Sequence, residues 1–290
     1  MRETSYAEPC AGRPRSTLVP QSFALSEKGP VRESNEDQFL VARLTKAVRI
    51  QQSSLPQSMM KCGHDEGHIF LVADGMGGSV AGEKASAIAV KSIEEFLANK
   101  LKWFFKLKGP EHEKVLLEFQ EALREADARV FEESAEHPEL DGMGTTLTLA
   151  YSLRGQLFVA HAGDSRCYLF REGKLEQLTR DHTLAEVLAG SELFPNSETV
   201  RHRYSHVVTN AIGGRKPGVR AEIHKHNLQA GDVVLMTTDG LTRYATDEQI
   251  AAILKGNSQP QAACEHLVAR ALDEGGHDNV TVIVARYENA

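Results

Sequence analysis

The stretch Ile69-Phe-Leu-Val-Ala-Asp-Gly-Met-Gly-Gly78 decides how the chain is read. Its apolar residues run directly into an acid and then into a turn rich in glycine. A run this short, closed by turn residues, predicts a buried strand and not a helix. Asp74 then leaves the sheet at its end, where a carboxylate is held rigidly and the neighbouring backbone can approach a ligand. Gly75, Gly77 and Gly78 tolerate angles and contacts that a side chain forbids. Alone, this is an ordinary Asp-Gly turn between strand and helix. It gains weight because it recurs: the apolar run 157–162 ends in Gly163-Asp164, and 233–238 ends in Asp239-Gly240.

Outward from that strand, Ala85, Ala89, Ile93, Phe96 and Leu97 share one face of a helix predicted over 81–97. Leu116, Phe119, Leu123, Ala126 and Val130 stripe a second over 113–134, and both stripes read as core. Trp103-Phe-Phe105 reads as the packing tail of the first helix ahead of a partner site. Strands are predicted at 23–27, from Asp37 onward, at 146–151 and at 280–285, with a hairpin of 167–170 and 174–178 about Arg171-Glu-Gly173. Thr183 with Glu186, and Thr246 with Gln249, have capping-box spacing, and 262–272 is a last helix. Residues 1–20 read as a flexible tail. Residues 43–68 read as a long mobile connection, and 191–218 as an irregular polar flap. The histidines and acids of Gly63-His-Asp-Glu-Gly-His68 read as solvated side chains of that connection ahead of metal ligands. This order is no regular βαβ alternation. It predicts an α+β fold of two stacked, mostly antiparallel sheets with helices outside.

At 290 residues, 41% hydrophobic and 25% charged, the chain has the composition of a globular protein with a sizeable core. A net charge of -7 without basic blocks argues against nucleic-acid and anionic-membrane partners. Cys10, Cys62, Cys167 and Cys264 are scattered, as reduced thiols are, and form neither a zinc site nor a disulfide frame. No apolar run reaches bilayer length and the first residues carry no signal-like core, so a cytoplasmic monomer without membrane insertion is expected.

The chemistry lies in the acids. Asp74, Asp164, Asp239 and Asp278 each occupy a strand end or adjoining turn, and Glu36 and Asp37 begin a strand. Stacked sheets can bring such ends to one edge. Carboxylates gathered there repel one another and retain their protons unless cations neutralise them. Oxygen-only ligands favour Mg²⁺ or Mn²⁺, and two such ions about 3.5–4 Å apart suit in-line displacement at phosphorus. Arg32 supplies the forked donor that fits phosphate oxygens. Singly, each aspartate is a turn former or helix cap; together they indicate a metal site.

Seven motifs in order now resemble the PPM family, the metal-dependent type 2C protein serine/threonine phosphatases, and its compact bacterial branch in particular. They are Val31-Arg-Glu-Ser-Asn-Glu-Asp37, Val72-Ala-Asp-Gly-Met-Gly-Gly78, Gly142-Met-Gly-Thr-Thr146, Gly163-Asp-Ser-Arg166, Leu178-Thr-Arg-Asp-His182, Thr238-Asp-Gly-Leu241 and Gly275-Gly-His-Asp-Asn279. The resemblance spans residues 23–287 and implies a four-layer α-β-β-α sandwich forming one phosphatase domain over 21–288. It implies two Mn²⁺ or Mg²⁺ ions: Asp74 bridging, Glu36 and the Gly75 carbonyl on one, Asp239 and Asp278 on the other. Asp164 with Asp239 would hold a weaker third ion, Arg32 the substrate phosphate, and Asp37 a metal-bound water. The implied activity is hydrolysis of phosphoserine and phosphothreonine by a metal-bridging water, reversing kinase signalling. The partners would be phosphorylated proteins, a serine/threonine kinase or its substrates. The alternative is a non-catalytic module that binds phosphoproteins, a pseudophosphatase. Two departures leave the leaving-group acid open: Ser79 replaces a histidine common in bacterial relatives, and Met76 one proposed as the acid in eukaryotic members. A metal-bound water could serve, and neither His161 nor His182 is assigned that role.

Overall fold

Residues 69–73 form the middle of a strand with both faces buried. The computed structural model describes residues 18–47, 64–104, 112–190 and 203–289. One antiparallel sheet consists of β1 (Leu18–Glu27), β7 (Arg166–Arg171), β8 (Lys174–Gln177), β11 (Val233–Thr237) and β12 (Val280–Asn289), in the order β1-β12-β11-β7-β8. The other holds β2 (Asp37–Ala47), β3 (His64–Met76), β4 (Gly144–Thr145), β5 (Leu147–Leu153), β6 (Gln156–Ala162), β9 (Ile212–Gly213) and β10 (Glu222–Asn227). Its order is β10-β6-β5-β3-β4-β9, with β2 also pairing β3. Helices α1 (Ser79–Phe104) and α2 (His112–Glu136) cover the seven-stranded sheet; α3 (Leu184–Ala189) and α4 (Asp239–Thr242) are short; α5 (Asp247–Gly256) and α6 (Pro260–Asp273) cover the five-stranded sheet.

Strand alternation sorts the apolar run between two cores. Ile69, Leu71 and Ala73 meet Ala85, Ala89, Ile93, Phe119 and Leu123 of the helices. Phe70 and Val72 face the opposite way, onto Met236, Val234 and Ile283 of the second sheet. Burial on both faces is why the run is continuously apolar. Each such side chain contributes about 1.5–3 kcal/mol relative to exposure. Among the described residues, no helix is long and apolar enough to cross a membrane.

Several expectations need correction. Strand β1 begins at Leu18, so the expected tail loses its last residues to the sheet; residues 1–17 lie outside the described set. Much of the expected connection 43–68 is strand, paired as far as Ala47 with His64, and residues 48–63 lie outside the described set. The ladder was hidden because β2 has a partner on one side only and exposes Arg43 and Thr45, which breaks the apolar pattern. Gly67 lies in that ladder under Tyr151, whose ring a Cβ would meet at 2.6 Å. Strand β10 (Glu-Ile-His-Lys-His-Asn) was not expected at all, for the same reason: it is an edge strand of mostly polar residues. The helices also run past their predicted limits of 81–97 and 113–134, and the side chains of Trp103-Phe-Phe105 lie outside the described residues.

Part of the expected flap is built into the sheet. Ile212 and Gly213 pair with β4, and the buried Asp127 of α2 accepts from the Gly213, Gly218 and Val219 amides at 2.7, 3.0 and 3.3 Å. One carboxylate thus satisfies three backbone donors that no strand partner reaches. Asp127→Ala is expected to cost about 3 kcal/mol, since it orphans buried donors of a charge-assisted network. A urea unfolding titration checks this; a loss within experimental scatter of zero would refute it.

Candidate metal centre

The sheets bring the acidic strand ends to one edge. Glu36 and Asp37 stand where β2 begins, and Asp37 lies opposite Asp74 near the end of β3. Asp164 follows β6, Asp239 follows β11 and opens α4, and Asp278 precedes β12. A cleft at this edge is lined by Arg32, Glu36, Asp74, Gly75, Asp164, Asp239 and Asp278. Seven of the eight residues named from the sequence therefore share one wall-to-wall site. Asp37 sits beneath it, 4% exposed and off the lining.

Hydrogen bonds to the backbone hold Asp74 and Glu36 in place. Thr146 donates its amide to the Asp74 carbonyl at 2.9 Å, and its Oγ1 accepts from the Asp74 amide at 2.9 Å. Thr145 Oγ1 donates to the same carbonyl. This is the work of the Gly-Met-Gly-Thr-Thr motif. Asn279 Oδ1 accepts from the Glu36 amide at 2.9 Å, and its Nδ2 donates to the Lys28 and Ser34 carbonyls. The Glu36 carbonyl accepts from Ser86 Oγ and the Gly75 amide. Gly75 has no room for a side chain, because a Cβ would collide with the Gly82 carbonyl. Gly77 and Gly78, with φ of +120° and +93°, make the turn into α1 in conformations that other residues rarely adopt.

Crowding in a low-dielectric cleft raises proton affinity. Burial pushes Asp37 up to about 7, with Asp239 and Asp278 adding to it against hydrogen bonds from Thr281 and Thr238. Burial lifts Asp164 to about 8, with Asp239 and Asp181 next in effect. Asp74 stands well above the carboxylate range through burial and then the charges of Asp37, Asp239 and Asp164. Asp239 and Glu36 are raised too, by burial first. Asp37 Oδ1 and Asp239 Oδ1 are buried with no hydrogen-bond partner among the described residues. Orphaned oxygens in an all-oxygen donor set fit hard divalent cations.

Arg243 was not foreseen. Its Nη2 pairs with Asp239 Oδ2 and its Nη1 with Asp278 Oδ2 at 3.1 Å, while Arg32 Nη2 holds Asp278 Oδ1 at 2.8 Å. The sequence did carry a signal, since Arg243 follows Asp239 by four residues, one helical turn. His206 and Val208 line the cleft from the 191–218 segment, which had no periodicity to mark them.

Among the described residues, the one group of three metal-binding side chains with ligand atoms all within 4.8 Å lies elsewhere: His161, His182 and Glu222. Its nitrogens are engaged. His161 bonds Thr148 Oγ1 and the Arg180 carbonyl, and His182 accepts from the Gly163 amide and bonds Glu222 Oε2 at 3.0 Å. Burial first, then His182, holds His161 down to about 4, so it is neutral at pH 7. Both histidines are hydrogen-bonding scaffold.

The geometry agrees with the family comparison. A model of protein phosphatase 2C matches residues 49–274. The chain belongs to the protein phosphatase 2C family. Among the relatives of this 2C-type chain, serine/threonine protein phosphatase PstP of Mycobacterium tuberculosis is 31% identical over 272 residues, covering 93% of this chain and 46% of that protein. The chain thus spans about half the length of these mycobacterial relatives. Serine/threonine phosphatase stp of Listeria monocytogenes is 30% identical over 224 residues, covering 77% of this chain and 86% of that one. The crystal structure of the M. tuberculosis phosphatase superposes with a TM-score of 0.72 at 28% identity, covering 94% of this chain and 100% of that one. A PstP catalytic domain in complex with two manganese ions gives 0.72 at 29% identity, with the same coverage. These matches bear out the sandwich fold.

Two outcomes test the electrostatics. A carboxyl raised in the folded state stabilises it below the unfolded pKa of about 4, and that stability is lost as pH rises through about 7 for Asp37 and about 8 for Asp164. Protein in chelator should therefore melt lower at pH 8.5 than at pH 6, and Mn²⁺ should abolish the difference, because ligation favours the ionised acids. A melting point in EDTA that rises over this range would contradict the assignment. Arg243→Gln should lower the melting point in EDTA by a few degrees, as Asp239 and Asp278 lose their shared counter-ion; scanning calorimetry of both proteins decides.

Proposed function

We propose that this chain is a metal-dependent protein phosphatase that hydrolyses phosphoserine and phosphothreonine in proteins, and that it reverses the action of a serine/threonine kinase in the cytoplasm. The observation that carries this reading is the gathering of Glu36, Asp74, Asp239 and Asp278 with Arg32 in one cleft. Asp74 would help to hold both of two cations, Glu36 and the Gly75 carbonyl would complete one, and Asp239 with Asp278 the other. Asp164 and Asp239 would hold a weaker third. When bound, Mn²⁺ or Mg²⁺ neutralises the acids, polarises the phosphoryl oxygens and makes water a stronger nucleophile at neutral pH.

The chain's own groups do the rest. Arg32 is 45% exposed and reaches into the cleft, where its fork fits two phosphoryl oxygens. Asp37 is fixed through Oδ2 by Thr238 and Thr281 at 2.8 and 2.7 Å, and its free Oδ1 accepts a hydrogen bond from the attacking water. Gly77 and Gly78 line the cleft with backbone alone, which leaves that stretch of wall open to a phosphorylated segment. Among the described residues the cleft retains Glu36, Asp74, Asp164, Asp239, Asp278 and Arg32, which supports the catalytic reading over a non-catalytic phosphoprotein binder.

Hydrolysis of p-nitrophenyl phosphate and a phosphothreonine peptide should require Mn²⁺ or Mg²⁺ and cease in EDTA. Equal, negligible rates with and without metal would dispose of the reading. Asp74→Asn or Asp239→Asn should cut kcat by about 10²–10³-fold, the scale on which one preorganised electrostatic partner acts. The fold should persist, because each change also relieves carboxylate repulsion. A folded Asp74→Asn enzyme with near wild-type turnover would contradict the assignment.

A further inference from the structure

The geometry points to His206 as the acid that protonates the departing seryl or threonyl oxygen, an inference that rests on the phosphatase reading above. An alkoxide is a poor leaving group, so cleavage of an alkyl phosphate gains much from a proton delivered as the P–O bond breaks. The turn at Met76-Gly-Gly78 offers no such proton. The cleft acids cannot give one while they ligate cations, which bind them ionised. Arginine holds its proton far too tightly, and Thr146 Oγ1 is engaged with the Asp74 amide and Ser165. Asn279 spends its side-chain amide protons on the Lys28 and Ser34 carbonyls, so among the described residues the remaining proton donor on the cleft lining is the His206 ring. Imidazole is also the side chain whose ordinary proton exchange falls near neutral pH. His206 is exposed, and no described side chain is hydrogen-bonded to its ring, so the ring is free to meet a substrate.

His206 also has a fixed place. The Val207 amide donates to the Tyr204 carbonyl at 3.2 Å, closing the turn that carries it. The Val207 carbonyl accepts from the Leu184 amide, Val208 bridges to Thr183, and the Thr209 amide donates to the His182 carbonyl. The His182 amide in turn donates to the Gly163 carbonyl at 2.7 Å, next to Asp164. Two layers of backbone hydrogen bonds therefore index His206 to the acidic edge, although no regular element carries it there.

In the step, a water oxygen bonds to phosphorus as the bond from phosphorus to the seryl or threonyl oxygen breaks. The electron pair of that bond stays on the departing oxygen, which takes the proton of the His206 imidazolium and leaves as the alcohol. Neutral His206 regains a proton from solvent, and the proton released by the water leaves with inorganic phosphate or solvent. The balance is phosphoester and water to alcohol and phosphate.

The test compares leaving groups in Mg²⁺, using wild type, His206→Gln and His206→Ala. On a phosphothreonine peptide, kcat should fall by about 10²–10⁴-fold with KM little changed, the range for loss of a general acid. On p-nitrophenyl phosphate, whose phenolate departs without help, the loss should be at least tenfold smaller. Across substituted phenyl phosphates the dependence of kcat on leaving-group pKa should be steeper in His206→Gln. Independently of turnover, the histidine resonance missing from His206→Gln should shift in wild type when inorganic phosphate is added with Mg²⁺. Equal losses on both substrates, no loss on the peptide, or a resonance that phosphate leaves unmoved would overturn the assignment while the phosphatase reading stands. A wild type inert on both substrates would overturn both.

Discussion

Like charges held at close quarters are what this structure has to support. Acids from both sheets converge on one cleft, and burial lifts the proton affinity of Asp74, Asp164 and Asp239. A chain can hold such an arrangement only by directional bonds that do not consume the charges. It does so by gripping backbone: Thr145 and Thr146 hold Asp74, and Asn279 and Ser86 hold Glu36. The two arginines at the rim then moderate the repulsion from the solvent side.

The remaining motif residues form a second tier beneath the acids. Arg166 reaches Asp181 with a two-pronged pair at 2.8 and 2.7 Å, binding the segment after Asp164 to the Leu178–His182 stretch. A planar fork fits a carboxylate in a single arrangement, so this pair sets orientation as well as distance. His182 continues the tier through Glu222 on β10 and through Asn210. In this way a polar edge strand, a loop and the wall of the cleft are tied together.

What could be read from the sequence follows from where apolar residues are obligatory. The strand at 69–73 is buried on both faces and announces itself, and the two helix stripes pack where their periodicity placed them. Edge strands β2 and β10 carry polar residues on their open sides, so their extent was lost among loop-like composition. The acids were legible because each ends or precedes an apolar run beside a turn. Arg243 and His206 were not: the first looks like any arginine on a short helix, and the second sits in a segment whose position is set by backbone hydrogen bonds. Such bonds leave no trace in residue type.

Asp37 has a wider role than its place under the cleft implies. Much of the contact between the two layers runs through side chains such as Phe70, Val72, Met236 and Ile283, and apolar contact is indifferent to small sliding movements. Asp37 belongs to one layer, while the hydroxyls of Thr238 and Thr281 that clasp it belong to the other. A slip of even one rung would break both bonds and strand a buried acid. Asp37 therefore acts as a buried alignment pin between the layers, alongside the Asn279–Glu36 bond near the same edge, so the spacing of groups on opposite walls depends in part on a side chain that never reaches the surface.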